Sequence, residues 1–341
     1  MGKIAGPAIA GAVSILLIFS QVLAVYGTPL KTFREYSIEI GPYELYGRLT
    51  MPNGVEQPPV AVFIHGSGQW NYNSAFGGMK MFKDIAHGLA EQGIASIRHN
   101  KRYYQHPPMP HGVNIWNETI YDTSHAIKFT AAQEDLGEIF IIGFSQGGIV
   151  APHLAYAHPE VKGIISLAGS PRSFFEIIAS QSEFLRHRAA GLGVNIPARM
   201  VATLLNQIMN IDENILPVTY NFLSEQALSL GFPISFLHSM NNLDTYRVIS
   251  YIEIPFLILQ GEEDLQIHAE YDFTAWKELL YEREHTAFIL YEGLNHFFAP
   301  HIPELGFNQS AARANVDAQV IKDIAEWIIG ITVNDTIMEE N

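Results

Sequence analysis

The chain is predicted to be an α/β protein, a mostly parallel sheet with helices on both faces and a helical cap insertion, and three observations predict this. Short, almost wholly apolar runs recur along the 341 residues, segments of helical periodicity separate them, and the alternation is interrupted once, between Ser170 and Ile252. A strand covered on both faces reads as a continuous apolar run, whereas a half-exposed strand alternates. Strand following helix following strand implies parallel pairing, because a parallel crossover has room for a helix and a hairpin does not.

Ahead of these elements, Met1 to Lys3 carries the only charge before Lys31, and Ile4 to Val25 is apolar apart from Ser14, Ser20 and Gln21. Residues 1–27 therefore read as a signal peptide, with Val22 and Ala24 fitting a small-residue cleavage site, or as an N-terminal membrane anchor, since the apolar run is long enough to span a bilayer. Lys3 holds the short N-terminus inside in either case. The folded part is expected to be extracytoplasmic, secreted or associated with the membrane through residues 4–25.

Arg34 to Met51 then reads as a hairpin turning at Gly41-Pro42, because apolar and polar residues alternate on either side of it. The buried strands follow as Val60 to Ile64, Ile94 to Ile97, Ile139 to Ile142, Val161 to Leu167, Phe256 to Leu259 and Phe288 to Tyr291. Phe82, Ile85 and Leu89 recur at helical spacing before Gly93, and Val316, Val320, Ile321, Ile324 and Ile328 do so near the C-terminus. Between Ser170 and Ile252 there are helix-like blocks, Phe174 to Arg188 and Pro197 to Met209, punctuated by Gly191, Gly193, Pro217 and Pro233. That stretch is far longer than a usual crossover. Residues 170–252 are expected to form the cap, inserted after the sixth main strand into a core of 33–169 and 253–330, with 331–341 as a C-terminal tail.

Acidic residues outnumber basic ones by 35 to 20, a net charge of -15, which disfavours nucleic acid and other polyanions as partners. The chain has no cysteine, which excludes a thiol nucleophile, a disulfide framework and a thiolate metal site. No cofactor and no metal is expected. His106 and His111 flank a proline-rich loop without forming a recognisable ligand set.

The strongest local signal is Gly143-Phe144-Ser145-Gln146-Gly147, lying between an apolar strand and a helical segment. A serine on a sharp strand-to-helix turn projects above the sheet, and glycines two positions either side let neighbouring backbone pass close by. Alone, the pattern also describes a tight turn with a capping serine. Pro152 falls inside the following helix, where it removes a backbone donor and invites a kink. A serine hydroxyl needs a base, and the base needs a partner that fixes its tautomer. Phe256 to Leu259 runs into Gly261-Glu262-Glu263-Asp264, and Phe288 to Tyr291 runs into Glu292-Gly293-Leu294-Asn295-His296. The order Ser145, Asp264, His296 is that of the α/β-hydrolase fold. Asp264 is preferred over Glu262 and Glu263 because it lies farthest past the strand end. His99, His125, His153 and His268 have no such position. Donors for a tetrahedral oxyanion are expected from the backbone N–H groups of Ser67, in His65-Gly66-Ser67-Gly68, and of Gln146.

These motifs, with Phe82-Lys83-Asp84-Ile85-Ala86, Gly88-Leu89-Ala90, Gly93-Ile94-Ala95, Lys101-Arg102 and Gln260-Gly261, resemble a family of prokaryotic α/β-hydrolase carboxylesterases with an HGSG oxyanion motif, over roughly Phe33 to Gly330. The resemblance implies cofactor-free hydrolysis of small-molecule esters with short to medium acyl chains, and it makes Pro152 a familiar feature. The chain departs from the family where Gln69-Trp70-Asn71 replaces the usual proline and acidic residues after HGSG. A peptidase, thioesterase or acyltransferase uses the same triad, and an inactive binding protein on this scaffold is the alternative of another class.

Overall fold

The computed structural model describes residues 32–107, 112–181, 233–306 and 308–339, with side chains to 333. The leader 1–27, His111 and residues 182–232 of the expected cap lie outside the described residues. Among those described, no helix is long and apolar enough to cross a membrane.

The expected hairpin is β1 (Phe33–Ile40) against β2 (Leu45–Pro52), closed by the Glu44 N–H donating to the Gly41 carbonyl at 3.1 Å. Beyond it run β3 (Val60–Ile64), a small hairpin of β4 (Ala75–Phe76) and β5 (Met79–Lys80), then β6 (Ala95–His99), β7 (Ile139–Phe144), β8 (Val161–Leu167), β9 (Phe256–Gly261) and β10 (Ala287–Tyr291). The main sheet has 8 strands in the order β1-β2-β6-β3-β7-β8-β9-β10. Within that sheet the β1–β2 and β2–β6 pairings are antiparallel and the other five parallel.

The pleat divides each buried strand between two cores. Val60, Val62 and Ile64 of β3 join Ile139 and Ile141 of β7 on one face, packed against Ile127 and Leu154 of the helices Tyr121–Ala131 and Gln146–Ala157. Ala61, Phe63, Phe140, Ile142 and Phe144 point to the other face, against Phe82 and Leu89 of the helix Met81–Glu91 and Ile324 of the helix Ala318–Glu339. This explains why the sequence of β3 and β7 shows no polar alternation: each face is interior. The helix after β3 lies on one face and the helix after β7 on the other, so the carboxyl ends of these neighbouring strands form the switch point at which such sheets bind ligands.

Three details differ from the sequence reading. Ile94 belongs to the turn before β6, its N–H bonded to the Leu89 carbonyl at 3.0 Å. The edge strand β10 is only partly covered, with Leu290 43% exposed, because it pairs with β9 alone. The last helix continues to Glu339 with no break at residue 331, since Ile331 still packs on the second core. Between β8 and β9 the described residues hold helices at 174–181, Ile234–Asn241 and Thr245–Ile249, and no strand.

Candidate active site

Ser145 stands at the carboxyl end of β7 with φ 54° and ψ -116°, a conformation that non-glycine residues rarely adopt. The surrounding structure imposes it. The Ser145 N–H is bound to the Leu167 carbonyl of β8 at 2.8 Å, and its own carbonyl accepts from Gly148 N–H at 2.9 Å. A Cβ at Gly143 would lie 2.3 Å from the Gly147 carbonyl oxygen, and one at Gly147 would lie 2.3 Å from that of Ile64. Both glycines are thus demanded by close backbone approach. The helix Gln146–Ala157 runs on through Pro152 and begins directly after Ser145, so the N–H groups of its first turn have no acceptor within the helix itself.

The expected acid and base come together. His296 Nδ1 lies 2.7 Å from Asp264 Oδ2, and both side chains are buried. Asp264 cannot swing away: Oδ1 accepts from the backbone N–H groups of Gln266 (2.7 Å) and Ile267 (2.9 Å), and Oδ2 also accepts from Gln260 Nε2 (2.9 Å). An aspartate so bound accepts a hydrogen bond from Nδ1–H, which keeps the proton on Nδ1 and leaves Nε2 to act as the base. Glu262 and Glu263 are exposed; their backbone N–H groups instead bind the Tyr291 and Leu294 carbonyls and join the acid loop to the histidine loop. Gly261 permits that contact, since a Cβ there would lie 2.5 Å from the Leu294 carbonyl oxygen. Asn295 shapes the histidine loop, its side-chain oxygen accepting from Phe297 N–H at 2.9 Å, and the His296 ring rests 4.9 Å from that of Phe144.

Ser145 and His296 line one cavity of about 190 Å³, together with both expected oxyanion residues, Ser67 and Gln146. The loop after β3 passes directly beside the elbow, for a Cβ on Gly66 would meet that of Ser145 at 3.3 Å. His65 braces this loop by donating from Nε2 to the His99 carbonyl at 2.7 Å, and burial together with the repulsion of His99 and Lys101 keeps its ring neutral. Among the described residues Ser145 Oγ makes no hydrogen bond, so the side chain is available to a substrate; such contacts often tighten only on binding.

The sequence reading missed several neighbours. Trp70, in the segment that departs from the carboxylesterase pattern, lines the cavity and donates from its indole nitrogen to the Ser67 carbonyl at 2.5 Å. Ser67 Oγ donates to Gln146 Oε1 at 2.7 Å, so the side chains of the two oxyanion residues are bonded to each other. Ile149, Ile267 and Phe297 supply an apolar wall, and they are joined by Phe174, Ile177 and Ile178 of the expected cap, whose apolar residues the sequence does offer for such a pocket. Among the described residues the other histidines are not part of the cavity lining: His99 is buried beside β2, His125 binds the Tyr121 carbonyl, His153 contacts Thr245, and His106 contacts the Tyr43 carbonyl.

Comparison with known proteins agrees with this fold. A family model described as Serine aminopeptidase, S33 matches residues 75–299. Esterase EstD of Thermotoga maritima is 26% identical over 299 residues, covering 88% of this chain and 68% of that relative. Two solved structures share the fold: Est1E from Butyrivibrio proteoclasticus, TM-score 0.54 at 16% identity over 88% of this chain and 99% of the other, and a proline iminopeptidase from Mycobacterium smegmatis, TM-score 0.55 at 12% identity over 89% and 100%.

Proposed function

The chain belongs to the Serine aminopeptidase S33 family of α/β-hydrolases, and from that premise we propose that it is a serine hydrolase of carboxylic esters with Ser145, His296 and Asp264 as its triad. The observation that carries this reading is a strained serine sharing one cavity with an aspartate-bound histidine. His296 Nε2 takes the proton of Ser145 as Oγ attacks the ester carbonyl, and Asp264 supports the imidazolium that forms. The Ser67 and Gln146 N–H groups stabilise the oxyanion. Collapse releases the alcohol, with the proton returned by His296, and water then cleaves the acyl-enzyme by the same steps in reverse.

The family description and the iminopeptidase likeness favour a second reading, an aminopeptidase. Such an enzyme needs a negative group for the substrate ammonium. Among the described residues that line the cavity there is no carboxylate, and the wall is largely aliphatic and aromatic, which supports a neutral acyl group. The name of the relative EstD points the same way. A cavity of about 190 Å³ fits short to medium acyl chains, with Phe174, Ile177 and Ile178 contributed by the cap that we place at 170–252.

Turnover of nitrophenyl esters of increasing acyl length, set against prolyl and alanyl nitroanilides, tests these points together. The ester reading expects kcat/KM to rise with acyl length to a maximum at short to medium chains and the anilides to be poor substrates; efficient anilide cleavage would reverse it. Residues 4–25 support an extracytoplasmic place for the enzyme, and fractionation of cells expressing the full chain is expected to find it processed or with membranes; intact protein in the cytosol would contradict that placement.

A further inference from the structure

Two segments remote in sequence, the loop after β3 and the start of the helix Gln146–Ala157, carry the proposed oxyanion donors, and both are gripped from behind by one buried polar circuit. Lys101 Nζ donates to the Gly66 carbonyl at 2.8 Å. In a trans peptide the carbonyl and the following N–H point to opposite sides, so a clamp on the Gly66 oxygen also sets the direction of the Ser67 N–H. Glu118 pairs with the ammonium through Oε1 at 2.5 Å, and the two side chains are 2% and 3% exposed. Its Oε2 accepts from Thr119 Oγ1. Thr119 Oγ1 in turn accepts from Gln146 Nε2 at 3.2 Å, and Gln146 Oε1 accepts from Ser67 Oγ at 2.7 Å. The chain of contacts closes on itself at the Gly66–Ser67 peptide.

A π-helical turn, Trp116–Ile120, makes the circuit possible by burying the consecutive residues Glu118 and Thr119 together; such turns often accompany functional sites. Stability is a poor explanation for the pair, because the desolvation of two charges commonly cancels their attraction and an apolar replacement is often neutral. Rigid placement of donors is a better one, since a preorganised oxyanion site needs no rearrangement as charge develops.

We propose that Lys101 and Glu118, acting through Thr119, are positioning residues that hold the Ser67 and Gln146 N–H groups at one fixed separation for the oxyanion. The ammonium also polarises the Gly66–Ser67 peptide and strengthens its N–H as a donor. This inference rests on the ester-hydrolase reading above and deepens it.

The double variant Lys101→Met/Glu118→Leu removes both charges and strands neither. We expect it to melt near the parent temperature, to keep KM for nitrophenyl butyrate within about twofold, and to lose about tenfold to a hundredfold in kcat, a partial version of deleting one donor. Inhibition by an alkyl trifluoromethyl ketone, whose adduct places an oxyanion between the two donors, should weaken by a similar factor. Thr119→Val cuts the circuit without touching a charge and should lower the same two quantities by less, and Thr119→Ser should restore them. A folded double variant whose kcat and ketone affinity match the parent overturns the proposal, as does a drop in melting temperature or a rise in KM with kcat unchanged. If the double variant does not fold, the Thr119 pair decides by the same readings. A parent that cleaves no ester overturns the hydrolase reading itself, and that is seen before any variant is compared.

Discussion

The helix Gln146–Ala157 has a serine, a histidine and an acid at each end. At its start are Ser145, His296 and Asp264. At its finish, His158 caps the helix and joins Ser124 Oγ to Nε2 at 2.6 Å and Glu160 Oε1 to Nδ1 at 2.9 Å. Judged by hydrogen bonds alone the second set is the more complete, for it includes the serine contact that Ser145 lacks. We assign it no chemistry, for reasons of backbone and field. Ser124 sits within the regular helix Tyr121–Ala131, where neighbouring N–H groups are already spent on carbonyls. It lies at the carboxyl end of the other helix, where the dipole favours a cation and opposes an oxyanion. Ser145 occupies the amino end, with unspent N–H groups, a strained backbone and a cavity. The lesson is that a nucleophile is made by the donors around it as much as by the base beside it.

The contrast can be broken most severely at Ser145. Ser145→Ala should lower kcat on the order of a millionfold, as removal of a nucleophile from an interdependent triad does, while leaving the fold intact. Asp264→Asn should cost about 10⁴-fold by favouring the wrong imidazole tautomer; Glu262→Gln and Glu263→Gln, on exposed side chains, should stay within about twofold. If Glu263→Gln were the damaging change, the acid would be misassigned. Ser124→Ala should leave kcat/KM unchanged and lower stability by about 1 kcal/mol, the worth of one hydrogen bond, measured by urea unfolding. The effect confined to one pH window belongs to the middle of the same helix. Burial, only partly offset by Asp244, pushes His153 down from its ordinary 6.5 to about 4. Below pH 6.5 the unfolded chain therefore binds a proton that the folded one refuses until about pH 4, so folding stability falls as the pH drops through that window. His153→Gln should flatten this part of the melting-temperature profile, and an unaltered slope would remove His153 from it.

The strands and the elbow were legible because each leaves a local mark: a strand buried on two faces is an apolar run, and a turn packed against backbone admits only glycine at 143 and 147. Asp264 was legible from its distance past β9. The circuit behind the oxyanion donors was not, although Lys101-Arg102 stood out as part of the resemblance. Its members, at 67, 101, 118, 119 and 146, are ordinary polar residues of which only 118 and 119 share an element, and a buried polar residue is recognised only through the partners that the fold brings to it. Trp70 was visible only as a departure from the family pattern, with nothing local to show that its ring reaches the cavity.

The most direct measurement is fluorophosphonate labelling of the folded protein followed by peptide mapping, because both serine–histidine–acid sets compete for one reagent in one molecule. A single adduct on the peptide bearing Ser145, abolished by Ser145→Ala and unaffected by Ser124→Ala, is the expected result. An adduct on Ser124, or no adduct on a folded protein that still turns over esters, would contradict the assignment of Ser145 as the nucleophile.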